Sequence, residues 1–153
     1  MVYLTNYEAL NEALKSRTEN IAYEMPNLAN AAALLFEYMQ DINWAGFYKM
    51  VDGQLVLGPF QGKVARVLIP VGQGVCGTAV AEDCVQRVAN VHHFCGHIAC
   101  DSASNSEIVI PIHVGGEIWG VLDMDSPVLD RFSENDQAGL TQFVHILETI
   151  LER

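Results

Sequence analysis

Positive charge is scarce in this chain: eight lysines and arginines stand against nineteen aspartates and glutamates among 153 residues, a formal net charge of −11. So acidic a surface repels phosphate backbones and anionic headgroups, so neither nucleic acid nor a membrane is an expected partner. No apolar run approaches the roughly 20 residues that a membrane span needs. The start, MVYLTNYEALNEALKS, has neither the basic opening nor the continuous apolar stretch of a signal peptide. The expected location is therefore the cytoplasm, where thiols stay reduced unless their chemistry is transient or catalytic. Internal repeats, low-complexity tracts and linkers are also missing. Half of the residues are hydrophobic and only 18% are charged, so residues 1–153 read as a single ordered domain with a real core.

What is present is concentrated between Cys76 and Glu107. That stretch holds all four cysteines (Cys76, Cys84, Cys95, Cys100) and three of the five histidines (His92, His93, His97). It closes with GHIACDSASNSE, Gly96 to Glu107, where small and turn-forming residues follow Cys100 without apolar periodicity. Such a run is a loop, and a loop with a cysteine and acidic neighbours beside an apolar strand has the composition of a site on a scaffold.

The flanking segments read as regular elements. Thr5 and Glu8 have capping-box spacing before an amphipathic helix through Tyr7, Leu10 and Leu14. A second helix carries Leu28, Ala31, Ala32, Leu35 and Met39 on one face, with Asn27 as its cap. Asp52-Gly53 between apolar runs predicts a hairpin. A strand is expected over 64–70 and another from Cys84 to Ala89. Between them, glycines at 72, 74 and 77 precede a short helix that places Cys76 near its N-terminus, a position that lowers a thiol's pKa. No GK[ST] follows those glycines, which excludes a phosphate loop. A long terminal helix over 130–153 is capped by Ser133. The order predicts an α+β domain, a mostly antiparallel sheet with N- and C-terminal helices packed on one face.

The last hairpin has a register that can be argued. Ile108, Ile110, Ile112 and Val114 alternate with Glu107, Val109, Pro111 and His113, and Ile118 to Asp125 alternate likewise. A two-residue turn at Gly115-Gly116 would set apolar residues against carboxylates. A three-residue loop, Gly115 to Glu117, instead pairs Val114 with Ile118, Ile108 with Met124 and Glu107 with Asp125. In that register Glu107, Asp123 and Asp125 share one face.

Three neighbouring carboxylates repel unless solvated or compensated, so this end of the hairpin is either an open polar surface or a pocket for a cationic or donor-rich ligand that keeps one carboxyl protonated. Their spacing matches no calcium loop. The run Cys95-Gly-His97-Ile-Ala-Cys100, with Cys76, leaves a zinc site as the minor alternative, but it has no C-x-x-C pair and no metal is expected. Cys84, at the start of a strand, reads as a buried, inert thiol. Cys100, in a polar loop, is the candidate reactive cysteine. Trp44 and Tyr48 are four apart on a strand and share a face, either as core or as the aromatic wall of a ligand pocket.

Four segments carry a resemblance: DINWAGFY (Asp41 to Tyr48), IPVGQGVCGTAVA (Ile69 to Ala81), GHIACDSASNSEIVIPI (Gly96 to Ile112) and GVLDMDSP (Gly120 to Pro127). Together they resemble the free methionine-(R)-sulfoxide reductases, single GAF-domain enzymes, over nearly the whole chain. The resemblance implies that Cys100 is the catalytic cysteine, attacking the sulfoxide sulfur and becoming a sulfenic acid. It implies that Glu107, Asp123 and Asp125 bind the substrate, with a protonated carboxyl aiding departure of the oxygen, and that Trp44 and Tyr48 form the aromatic side of the pocket. The sulfenic acid then condenses with a second thiol, and thioredoxin reduces the disulfide without any cofactor. Members are often homodimers. One departure is clear: where the family commonly has a further, resolving cysteine, ten residues before Cys76, this chain has Arg66, so resolution falls to Cys76, to Cys95 or Cys84, or directly to an external thiol, and Cys76, the remaining family cysteine, is the expected one. The alternative from another class is a non-catalytic GAF sensor of a small ligand, which would need no redox thiols.

Overall fold

The computed structural model describes residues 2–96 and 102–153. Helix α1 spans Tyr7–Thr18 and α2 Glu24–Tyr38; then come strands β1 Trp44–Val51, β2 Gln54–Gly62 and β3 Leu68–Pro70, helix α3 Gly74–Glu82 and strand β4 Gln86–Val88. A single 3-10 turn at Val91–His93 precedes β5 Ser106–Val114, β6 Glu117–Ser126 and the terminal helix α4 Glu134–Leu151. The six strands form one sheet in the order β3-β2-β1-β6-β5-β4, with every neighbouring pair antiparallel.

Strand alternation gives this sheet two different faces. Ala45, Phe47, Ile108, Ile110, Ile112, Leu122 and Met124 point to one side and form a core with α1, α2 and α4. The intervening residues Trp44, Tyr48, Val109 and Val121 point to the other, where α3 covers them with Val75, Cys76 and Ala79. The N- and C-terminal helices thus share one face, as expected, and the short α3 closes the second.

Helix ends depart from expectation in instructive ways. Asn6, not Thr5, caps α1: its side chain accepts from the Ala9 amide at 3.0 Å, in keeping with the preference for asparagine over threonine at that position. Helix α2 begins at Glu24, so Pro26 sits in the first turn, where its missing N–H costs nothing. Asn27 lies inside that helix and donates to the Ile21 carbonyl at 2.9 Å. Ser133 does cap α4, in a reciprocal box with Asp136. The strand expected over 64–70 is only Leu68–Pro70, and that expected over 84–89 only Gln86–Val88.

The final hairpin reaches its pairing by a different route. Gly115 and Gly116, at φ 63° and 81°, form a two-residue turn, and Val114 pairs with Glu117. Positive φ at both central positions is the geometry that glycine accommodates and that matches strand twist. Between the His113–Ile118 and Ile112–Gly120 pairs, Trp119 is an extra residue, a β-bulge that shifts the register by one. Beyond it Ile108 faces Met124 and Glu107 faces Asp125, as the alternation requires. A second irregularity lies in the β1–β2 hairpin, where Gly58 and Pro59 together oppose Phe47. Proline has no N–H to give to the ladder, so a bulge is where a strand can hold it.

Candidate active site

Four elements meet at this site. Strand β5 supplies Glu107, β6 supplies Asp123 and Asp125, β1 supplies Trp44 and Tyr48, and α3 supplies Cys76 as its third residue. Cross-strand pairing fixes the arrangement: Asp125 lies opposite both Glu107 and Trp44, and Asp123 lies opposite Val109 and Gly46. A cavity lined by Tyr48, Ile69, Gln73, Cys76, Ser104, Glu107, Asp123 and Asp125, among others, lies between sheet and helix. The three expected carboxylates are therefore together and buried, at 5%, 7% and 8% exposure, which removes the open, solvated reading of this end of the hairpin.

Burial decides the electrostatics. Glu107 is pushed well above the ordinary carboxylate range, first by desolvation and then by the charge of Asp125. Asp123 is pushed up by desolvation and by Glu107, to which it is hydrogen-bonded. Two neighbouring like charges in a low-dielectric site resist ionising together, so the pair holds on to a proton above the ordinary carboxylate range. Cys76 is at the N-terminal turn of α3 as expected, but its thiol is raised rather than lowered. Burial is the largest cause, followed by the charges of Asp123 and Glu107, and the thiol donates a hydrogen bond to Asp123. A helix terminus offers only a partial positive charge, and here two carboxylates outweigh it.

Aromatic rings from β1 and β2 stand beside the carboxylates on the same sheet face. Trp44 stacks on Tyr48 at 6.0 Å between centroids and on Phe60 at 5.2 Å. Their polar tips are held by the β2–β3 connection: Trp44 Nε1 donates to the Lys63 carbonyl at 3.1 Å, and the Tyr48 hydroxyl to the Arg66 carbonyl at 2.7 Å. Arg66, which stands where a further cysteine was expected from the resemblance, thus contributes its backbone to fixing the wall. Glycine at position 46 permits the stack, because a Cβ there would lie 2.3 Å from Phe60 Cβ and 2.8 Å from Trp44 Cη2.

Sequence reasoning missed Phe60, Gln73 and Ser104. Phe60 follows Gly58-Pro59, and that bulge puts it opposite Gly46 on the site face; the Gly-Pro pair was the available signal. Ser104, which accepts from Asn43 Nδ2 at 3.0 Å, had none. Cys84 is exposed, contrary to its reading as a buried thiol: Asp83 ends α3 in a left-handed conformation and Cys84 falls before β4 begins. Cys95 is exposed as well. Cys100 and His97 lie outside the described residues.

Comparison with known proteins agrees with this geometry. The GAF domain family matches residues 10–151. The free methionine-R-sulfoxide reductase of Escherichia coli is 56% identical over 145 residues, covering 95% of this chain and 88% of that protein. The fRMsr of Staphylococcus aureus, solved in reduced form, superposes with a TM-score of 0.95 at 48% identity over 99% of both chains, and its complex with substrate gives 0.94. The Neisseria meningitidis free methionine-R-sulfoxide reductase, also in complex with its substrate, gives 0.92 at 40% identity over 95% of this chain and 88% of that one. With that identity over nearly its full length, and with a buried carboxylate trio beside an aromatic wall, the chain belongs to the GAF-domain free methionine-R-sulfoxide reductases, a family of oxidoreductases.

Proposed function

We propose that this protein reduces free methionine (R)-sulfoxide to methionine, with the substrate in the cavity between α3 and the sheet. The observation that carries the proposal is the burial of Glu107, Asp123 and Asp125 together, beside Trp44 and Tyr48. A free amino acid brings an ammonium, which three crowded carboxylates favour, and a methyl thioether chain, which an aromatic face favours. Peptide-bound methionine has no such ammonium, so the site selects the free amino acid.

In the first step the Cys100 sulfur attacks the sulfoxide sulfur and the S–O bond breaks. The oxygen ends on Cys100 as a sulfenic acid and methionine leaves. The proton shared by Glu107 and Asp123 is available to the sulfoxide oxygen, making that oxygen a better leaving group. In the second step the Cys76 thiol condenses with the sulfenic acid, giving a disulfide and one water. Thioredoxin, a dithiol protein of the cytoplasm, then reduces the disulfide, and no cofactor takes part. Cys76 takes the resolving role because it alone of the three thiols in the described residues lines the cavity, whereas Cys84 and Cys95 face solvent.

A single-turnover assay tests this: reduced protein is mixed with free racemic methionine sulfoxide, the remaining enantiomers are resolved and thiols are counted. The expected result is loss of the (R) form alone, with methionine formed and two thiols lost per chain. Binding without consumption would refute the enzyme reading and leave a GAF ligand sensor.

A further inference from the structure

Three of the residues around the cavity, one thiol and two carboxylates, make a mixed sulfur and oxygen donor set suited to a borderline cation, and they come from three different elements. One ligand atom each of Cys76, Glu107 and Asp123 lies within 4.8 Å of the other two, and all three residues are buried. A second observation points to an occupant. Asp123 Oδ1 is buried, lines this cavity and has no hydrogen-bond partner among the described residues. Buried carboxylate oxygens are ordinarily satisfied, so an unsatisfied one marks a place for a donor or a cation.

We propose that the reduced protein binds one zinc-type divalent cation through Cys76 Sγ and the carboxylates of Glu107 and Asp123. Zinc–sulfur and zinc–oxygen bonds of about 2.3 and 2.1 Å put tetrahedral ligand atoms about 3.5 Å apart. Closing from 4.8 Å to that spacing takes side-chain rotation of roughly an ångström, without moving the strands or α3. The fourth position falls to a water or to Asp125, which lines the same cavity. The thiol selects zinc over magnesium or calcium, which prefer oxygen and need six or more ligands. All three ligands bind as anions, so the metal displaces protons now held in the cluster. Resting on the reductase reading, one consequence is inhibition: the ion takes Cys76 and the ammonium-binding carboxylates out of action together, and a chelator restores turnover.

The test is a titration of the reduced full-length protein with Zn²⁺ under anaerobic conditions, in competition with a chromophoric chelator, with Mg²⁺ and Ca²⁺ as controls. One zinc per chain is expected, with proton release. Cys76→Ser should weaken binding roughly 100-fold or more, at or beyond the 10–100-fold loss seen when only an outer partner of a ligand is removed. Glu107→Gln should weaken it at least about tenfold, while Cys84→Ser/Cys95→Ser keeps the full affinity. Equal affinity in Cys76→Ser, loss in the Cys84/Cys95 variant, or no zinc bound at all would overturn the site. Circular dichroism of each variant establishes that it has folded. The titration involves no turnover, so its failure is distinguishable from failure of the metal-free single-turnover assay.

Discussion

Replacing Glu107 by glutamine should make the protein more stable at neutral pH while destroying its activity. Glu107 is buried opposite Asp125 and hydrogen-bonded to Asp123, and both Glu107 and Asp123 are shifted upward. The unfolded chain releases the Glu107 proton near 4.5, but the folded chain keeps it to higher pH. Above that value the folded state binds more protons than the unfolded one, so stability falls as pH rises. The contribution is whole below pH 4.5 and is lost progressively toward the folded-state value, at about 1.4 kcal/mol per pH unit for each proton retained. The neutral amide is free of that cost. Urea unfolding of both proteins at half-unit intervals from pH 4.5 to 7.5, in buffer containing a chelator, isolates the difference, since the other carboxylates are common to both. The curves should meet near pH 4.5 and diverge as pH rises, with the glutamine variant the more stable and the gap growing by up to about 1.4 kcal/mol per pH unit while the proton is retained. Parallel curves, or a glutamine variant less stable at pH 7.5, would refute the assignment of a burial-held proton to this site.

The remaining predictions follow from other contacts. Cys100→Ser should abolish turnover, and Cys76→Ser should release methionine in a single turnover but recycle poorly with thioredoxin; normal recycling would move the resolving role to another thiol. Arg131, fully buried against Asp136 at 3.0 Å and donating to the Gln40 carbonyl, anchors the start of α4. Arg131→Met removes the cation beside buried Asp136, leaving it only the hydrogen bonds from Tyr7 and Ser133, and should cost about 3 kcal/mol in chemical denaturation. Gly46→Ala should unstack Trp44 from Phe60, lose about 1–3 kcal/mol by overpacking, and raise KM for the sulfoxide more than it lowers kcat.

Most of the fold was legible because strand and helix periods are properties of neighbouring residues. The apolar faces of α2 and α4, the Asp52-Gly53 turn and the Ser133 cap depend on side chains a few positions apart, and the structure contains each of them. The misreadings are long-range. Cys84 looked like the first residue of a strand because its apolar neighbours continue into one, yet whether it is buried depends on where Asp83 ends α3. The thiol of Cys76 was placed correctly on its helix, but its pKa is raised by burial and then by Asp123 and Glu107, which are 47 and 31 positions away along the chain and meet it only in the folded state.

The carboxylate trio shows how a register can be legible while its cause is not. A tight turn at Gly115-Gly116 without interruption would pair Glu107 with Met124, so alternation demands one extra residue somewhere on β6 before Asp123. An insertion in the loop and one in the strand satisfy that demand equally, and facial patterning cannot tell them apart. What separates them is local: two glycines at positive φ favour the two-residue turn. The extra residue then falls at Trp119, which the bulge turns toward the helix side, where it packs against the core beneath α2 and its ring nitrogen donates to Glu24 at 3.2 Å. A bulge beside a site aims side chains, and this one sends a tryptophan to the helices while Asp123 and Asp125 are sent to the cavity. Deleting Trp119 should therefore remove the ring and the bulge together while keeping the pairing beyond it, because Gly120 then follows Ile118 directly, Ile112 still faces Gly120 and Glu107 still faces Asp125. Loss of the Glu107–Asp125 pairing in that variant would refute the assignment of the extra residue to Trp119.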